Sequence, residues 1–214
     1  MERIVCLLAG YVFGLFQTGF IYGRMHGIDI RKYGSGNLGS TNALRVLGAK
    51  AGATVFAGDV LKILIPCILV RVIFASRPDI VHVYMLYTGL GVTLGHNFPF
   101  YLHFKGGKGI AVMAGLFAAV DWRLAAVCLV VFAAIVATTR YVSLGSLAIA
   151  AVFSVWNIGM GYLGAYGLAG SLYVEYCVLS LIITVMAFWR HRANIGRLMR
   201  GTENKVGAKK KEEA

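Results

Sequence analysis

Three polar stretches of this chain combine glycine, neutral hydrogen-bond donors and cations in patterns suited to holding an anion. The first reads Lys32-Tyr33-Gly34-Ser35-Gly36-Asn37-Leu38-Gly39-Ser40-Thr41-Asn42, then Ala43-Leu44-Arg45. Its glycines permit tight turns that expose successive backbone N–H groups as an anion nest. Ser35, Asn37, Ser40, Thr41 and Asn42 add neutral donors, and Arg45 adds a planar fork matched to phosphate oxygens. A linker that merely caps the next helix is the plainer reading of the same residues.

The second stretch is Gly95-His96-Asn97-Phe98-Pro99-Phe100, followed by Phe104-Lys105-Gly106-Gly107-Lys108-Gly109. It is not the nucleotide-binding P-loop, since Lys108 is followed by Gly109 rather than Ser or Thr and no strand precedes it. The physics is nevertheless similar: Gly106, Gly107 and Gly109 let backbone wrap an anion, and Lys105 and Lys108 supply charge. A helix beginning near Ile110 would aim its N-terminal dipole at the same point. His96 has the unperturbed pKa for proton traffic, although a lone His beside Asn is more often a structural pin.

The third stretch, Thr139-Arg140-Tyr141-Val142-Ser143-Leu144-Gly145-Ser146, puts an Arg and hydroxyls at the head of an apolar run. No Ser-His-Asp order or nucleophile elbow accompanies it, so Ser143 reads as a ligand donor rather than a nucleophile. Asp59 and Lys62 stand at i and i+3 inside another apolar run, where charge is costly unless paired or turned to a polar interior. The segment from His191 through Asn194 and Arg197 to Glu203 makes a basic amphipathic turn on the membrane surface, and alone would pass for a stop-transfer flank.

The elements that must position these loops are hydrophobic. Of 214 residues, 58% are hydrophobic and 14% charged, with a mean hydropathy of +0.73, too apolar for a soluble domain to conceal. Apolar segments are expected at 4–22, 54–74, 80–94, 110–120, 124–138, 144–161 and 172–189. Those at 110–120 and 124–138 fall short of the ~20 residues of a full crossing. The expectation is an all-α polytopic membrane protein with about seven spanning or partly spanning helices and Gly-rich cytoplasmic loops. Residues 1–200 would form one domain and 201–214 a basic, disordered cytoplasmic tail, including the run at 209–213. The first segment reads as a retained helix rather than a cleaved signal.

Of 21 Lys and Arg, five lie in 24–50 and eight in 190–214. The net charge of +12 is thus gathered at the ends of apolar runs, which describes positive-inside loops rather than a nucleic-acid surface. Seven spans then put the N-terminus outside and the C-terminus in the cytoplasm, with all three polar stretches on the cytoplasmic face. Cys6, Cys67, Cys128 and Cys177 lie in apolar runs with no ligand spacing, so neither a disulfide framework nor a metal site is expected. Glu175 belongs near the outer interface.

The ordered set of motifs resembles the bacterial acyl-phosphate-dependent glycerol-3-phosphate acyltransferase family, PlsY. The resemblance rests on 34–42 with Arg45, on Asp59 and Lys62 with Pro66 downstream, on 96–109, on 139–146, and on His191, Asn194–Leu198 and Gly201–Glu203. It implies transfer of a fatty acyl group from acyl phosphate to the 1-hydroxyl of glycerol-3-phosphate at the bacterial inner membrane. Neither acyl-CoA nor acyl carrier protein would be the direct donor. The His-x-x-x-x-Asp acyltransferase motif is absent here, as in that family.

On this resemblance the catalytic set is expected to be His96, Lys105, Ser143 and Asn42. Substrate and phosphate contacts are expected from Ser35, Gly36, Asn37, Ser40, Thr41, Arg45, Asp59, Lys62, Asn97, Gly106, Gly107, Lys108, Gly109, Arg140, Ser146, His191 and Asn194. No cofactor and no metal are expected. The partners would be the two substrates and membrane lipids, with a monomer supplied by an upstream acyl-phosphate-forming enzyme and no nucleic acid. A membrane transporter of a phosphorylated small molecule is the rival, though no inverted repeat or midplane charge pathway is visible. A scaffold protein would leave three anion-suited loops unexplained.

Overall fold

The computed structural model describes residues 1–207, which form ten α-helices and two single turns of 3-10 helix. In order these are α1 (Glu2–Gly14), α2 (Thr18–Met25), α3 (Ser40–Leu47), α4 (Ala49–Ile73), α5 (Val81–Asn97), α6 (Ile110–Val120), α7 (Trp122–Thr139), α8 (Val142–Tyr162), α9 (Gly170–Arg190) and α10 (Arg192–Met199). All seven apolar segments are helical. Five stretches are long and apolar enough to cross a membrane: 2–25, 49–73, 122–139, 142–162 and 170–190. The segment expected at 124–138 gains residues at both ends, whereas α6 keeps its eleven and α5 has seventeen.

The short helices are the inner ones. Val83, Tyr84, Met85, Leu86 and Val92 of α5 and Val112, Met113, Leu116 and Phe117 of α6 form the core with Leu124, Phe153 and Ile183. The longer helices wrap them and turn apolar residues outward, among them Leu8, Leu61, Ile65, Leu129, Val130 and Val185. That surface is what a helix facing lipid requires. Gly14 and Gly95 let α1 and α5 touch backbone to backbone, since a methyl at either would lie 2.9 Å from the other's Cα.

Two departures from the sequence expectation build the site. The first span is not one helix: α1 ends at Gly14, and the chain restarts as α2 at Thr18. Carbonyls freed by such a break must find donors inside the membrane. Gln17, fully buried, donates to the carbonyls of Gly14, Gly95 and His96, and Lys62 donates to that of Phe16. The second departure is α3, within a stretch expected to be loop. Its Ala43, Val46 and Leu47 pack on Ile30, Leu38 and Val55, so tertiary burial secures eight residues with a polar first turn.

The seven apolar helices alternate in direction. At one end Arg3 of α1 pairs with Glu175 of α9 at 2.6 Å, Tyr84 at the start of α5 bonds Glu2, and Arg71 of α4 donates to the Val120 carbonyl. At the other end lie Lys62, His96, Lys108, Ser143, Arg190 and the polar loops. Residues 201–207, placed with the tail by sequence, fold back onto this end: Val206 N–H donates to the Arg140 carbonyl at 2.9 Å. The tail run at 209–213 lies outside the described residues.

Candidate active site

A cavity of about 540 Å³ opens at this end between α3, α4, α6, α8 and α10. Polar groups from every motif line it: Ser35, Asn37, Ser40, Thr41, Arg45, Asp59, His96, Lys108, Gly109, Ser143, Ser146, His191 and Asn194. Apolar side chains, Phe56, Phe132, Val136 and Val142, line the rest. One volume therefore meets both cations and hydrocarbon.

Asn42 organises the first wall. Its Nδ2 donates to the carbonyls of Ile30, Tyr33 and Asn37, and its Oδ1 accepts from Ser35 N–H at 2.8 Å and Ser35 Oγ at 3.1 Å. The amide is thereby spent on the loop, and Asn42 also lines the cavity. Two backbone donors are spent too, Ser35 N–H on Asn42 and Gly36 N–H on the Tyr33 carbonyl. Those two N–H groups are not free for an anion, and Gly36 does not line the cavity, whereas Asn37, Gly39, Ser40 and Thr41 do. Asp29 accepts from Arg31 N–H and guanidinium, and the guanidinium holds its carboxyl down at about 2, which pins the turn at 30–32.

The second wall departs from expectation in the same way. Gly106 N–H donates to the Asn97 carbonyl and Gly107 N–H to that of His96, each at 3.1 Å. These two glycines fold the loop onto α5 and offer the anion no N–H. A side chain at Gly107 would run into the His96 imidazole. What faces the cavity is Lys108 and the first turn of α6, which Gly109 opens with a left-handed φ of 84°. A helix N-terminus beside a Lys is a strong phosphate site.

Lys105 is exposed and does not line the cavity. The chain passes through left-handed conformations at His103 and Phe104, which carries the next residue outward. Asn97 is wholly buried beneath Gly109 and makes no side-chain hydrogen bond among the described residues.

His96 sits deeper still. Its Nδ1 lies 2.7 Å from Lys62 Nζ, which also donates to Asp59 at 2.8 Å and the Phe16 carbonyl at 2.9 Å. Thr18 Oγ1 donates to Asp59 at 3.3 Å. Asp59, Lys62 and His96 are all buried, every ammonium proton of Lys62 has an acceptor, and Asp59 and His96 edge the cavity.

The third wall comes from α8, α9 and α10. Ser143 Oγ is buried, faces the cavity and has no hydrogen-bond partner among the described residues. Ser146 Oγ donates to the Val142 carbonyl one turn back. Arg140 does not line the cavity: its guanidinium donates to the Val206 carbonyl at 2.7 and 3.0 Å, clasping the 201–207 segment.

Asn194 Oδ1 accepts from Lys108 at 2.5 Å, and its Nδ2 donates to Glu203, which pairs with Arg197 at 2.8 Å. His191 Nδ1 lies 2.8 Å from the Ala187 carbonyl. A carbonyl only accepts, so Nδ1 carries the proton and Nε2 a lone pair. Burial lowers the His191 pKa to about 4, so the ring is neutral at physiological pH.

Sequence reasoning did not single out Arg190, which reads as an ordinary stop-transfer flank. Its guanidinium donates to the Gly106 carbonyl at 2.9 Å and the Gly107 carbonyl at 2.7 Å, and lies over the Phe98 ring. It holds the glycine loop in place from across the bundle. Cations outnumber anions around the cavity. Burial, then the nearby Arg197, lowers the Lys108 pKa to about 8, and the lining carboxylates Asp59 and Glu203 are already paired. An added dianion would relieve this excess. Among the described residues no group of three His, Cys, Asp or Glu could hold a metal ion.

Comparison with known proteins agrees with this geometry. The chain matches the family described as glycerol-3-phosphate acyltransferase over residues 4–201. It is 39% identical over 211 residues to the glycerol-3-phosphate acyltransferase of Alkaliphilus metalliredigens, covering 98% of each chain. Identity to that of Clostridioides difficile is also 39%, over 97% of each. Crystal structures of PlsY (YgiH), an integral membrane glycerol 3-phosphate acyltransferase, superpose with TM-scores of 0.83 for the glycerol 3-phosphate form and 0.79 for the lysophosphatidic acid form. Both are 31% identical and cover 97% of this chain and 96% of theirs.

Proposed function

The chain belongs to the glycerol-3-phosphate acyltransferase family, and we propose that it works by direct attack of one substrate on the other, without an acyl-enzyme. It is a multi-pass membrane acyltransferase that moves a fatty acyl group from acyl phosphate to glycerol-3-phosphate, giving lysophosphatidic acid and phosphate. The acceptor's 1-hydroxyl oxygen bonds to the acyl carbon as the bond from that carbon to the phosphate oxygen breaks.

One observation carries the direct route. Ser143, the hydroxyl expected to do chemistry, is buried with no base bonded to it. A serine nucleophile needs such a base within about 2.6–3.2 Å. Ser143 instead supplies a preorganised donor to a substrate oxygen.

The acceptor's phosphate is held by Lys108, Arg45 and the α6 N-terminus. His191 Nε2 accepts the hydrogen bond of the attacking hydroxyl and so aims it. In the empty site burial disfavours the charged His191 ring. A substrate phosphate dianion at the attacking hydroxyl, with a second pKa of about 6, is the acceptor in this reading. The proton therefore goes to a phosphate oxygen. Alignment and fixed positive charge supply the barrier reduction.

Asn42, Arg190 and the Asp59–Lys62–His96 cluster position the loops, and the apolar wall of Phe56, Phe132 and Val136 takes the start of the acyl chain. The alternation of seven helices, with cationic loops at one end, supports seven membrane segments. This puts the N-terminus outside and the active site and C-terminus in the cytoplasm. In this reading the protein acts as a monomer fed by an upstream acyl-phosphate-forming enzyme.

Initial rates with both substrates varied test the direct route. Intersecting double-reciprocal lines, with no acyl group on Ser143 after incubation with donor alone, are expected. Parallel lines or a trapped acyl-Ser143 would contradict it.

A further inference from the structure

The end of the bundle opposite the active site carries a second cavity, of about 500 Å³, where α4 and α5 meet the junction between α6 and α7. Arg71, His82, Asp121, Trp122, Arg123 and Tyr166 line it. Nothing in the acyl-transfer reaction uses these residues.

The polar groups divide into spent and unspent. Asp121 accepts from Arg123 at 2.8 and 2.9 Å, from Trp156 Nε1 at 3.1 Å and from Tyr166 at 3.3 Å. Carboxylate and guanidinium therefore neutralise each other, and the carboxylate's accepting capacity is used. Arg71 makes one weak bond, to the Val120 carbonyl at 3.3 Å, and pairs with no carboxylate among the described residues. His82 Nδ1 is buried and has no hydrogen-bond partner among the described residues, while its ring lies 4.8 Å from that of Tyr166. A buried nitrogen without a partner is uncommon and calls for an explanation. The His82 residue lines the same cavity as the fork of an uncompensated arginine, although Nδ1 itself is covered.

The setting indicates which anion would enter. Trp122 beside the cavity is 74% exposed, as befits a ring at the level of lipid headgroups. Leu69, Val72 and Ile73, next to Arg71 on α4, are exposed and apolar. A ligand with one phosphate and two hydrocarbon chains would pair with Arg71 beside the His82 ring and lay its chains along α4.

We propose that this cavity binds the phosphodiester headgroup of a membrane phospholipid, in the leaflet opposite the active site. The lipid would lock the α4–α5–α6–α7 seam rather than serve as substrate.

Native mass spectrometry of the full chain in uncharged detergent tests this. Dioleoyl phosphatidylglycerol is titrated into wild type and into Arg71→Gln/His82→Gln, with dioleoylglycerol and inorganic phosphate as competitors. Wild type should retain one lipid that the double variant binds about tenfold more weakly, the loss expected for a charge-assisted hydrogen bond to phosphate. Acyl-transfer turnover should be unchanged, which also shows that the variant folds. If it does not fold, Arg71→Lys serves instead, since it keeps the charge, loses the fork and should bind with intermediate affinity. Equal binding by wild type and whichever variant folds would overturn the proposal. So would competition by dioleoylglycerol, which would show apolar contact alone. Displacement by inorganic phosphate at concentrations matching the lipid would assign the cavity to a free anion and overturn the lipid assignment.

Discussion

Lys62 Nζ lies 2.7 Å from His96 Nδ1, and this contact decides what His96 does. An ammonium only donates, so Nδ1 is the accepting nitrogen and Nε2 carries the proton, packed against Gly107. Neither nitrogen is free to take a proton from a substrate hydroxyl. His96 joins α5 to α4 and to the glycine loop.

His96→Gln should therefore keep the shape of the pH–rate profile, with turnover reduced less than about tenfold, because the lost group is a support and not a base. A loss of about 100-fold or more with an altered profile would return His96 to the role of general base. Steady-state kinetics between pH 5 and 10 separate the two.

Lys108 gives a pH dependence of definite sign. Its folded pKa of about 8 means the ammonium that binds phosphate is lost as pH rises through that value in the empty enzyme. The acceptor kcat/KM should fall above about pH 8, whereas kcat, which reports the loaded enzyme, should persist to higher pH because bound phosphate favours the charged form. Lys108→Arg should abolish that inflection, and its survival in the variant would show that another group sets it. Stability moves the other way. The folded pKa lies below the ordinary 10.5, so the burden of burying the charge is full below pH 8 and disappears as pH rises toward 10.5.

Arg190 makes its hydrogen bonds in the site only to backbone, and it holds the Gly106 and Gly107 carbonyls with two nitrogens. Arg190→Lys keeps a charge but cannot make the fork. The acceptor KM should rise about tenfold, the equivalent of one charge-assisted bond, with a smaller change in kcat. An unchanged KM would mean that the loop holds its shape without this clamp.

The sequence was most informative where periodicity and chemistry coincide. Apolar length located all seven helices, with α6 matching at both ends, because a bilayer leaves backbone few choices besides helix. Ser35, Arg45, Lys108 and Ser143 converge on one cavity as residue type suggested, and His191 and Asn194 join them as the family resemblance implied. What sequence could not supply were relations between distant segments. Lys105 and Lys108 look alike in a string, and only the left-handed turn at His103 and Phe104 sends one outward. Asn42 reads as a ligand, and a string does not show its amide holding three carbonyls. The break after α1 is hard to read locally, since Gln17 Nε2 reaches two of its three carbonyl partners, those of Gly95 and His96, almost eighty residues away. Arg140 likewise finds Val206, a residue well beyond the last span.

The most direct test follows both products from purified protein given palmitoyl phosphate and glycerol-3-phosphate, with palmitoyl-CoA replacing the donor in parallel. Lysophosphatidic acid and inorganic phosphate should form in equal amounts with the acyl phosphate, and neither with the thioester. Lysophosphatidic acid from palmitoyl-CoA, or phosphate release without acyl transfer, would contradict the account.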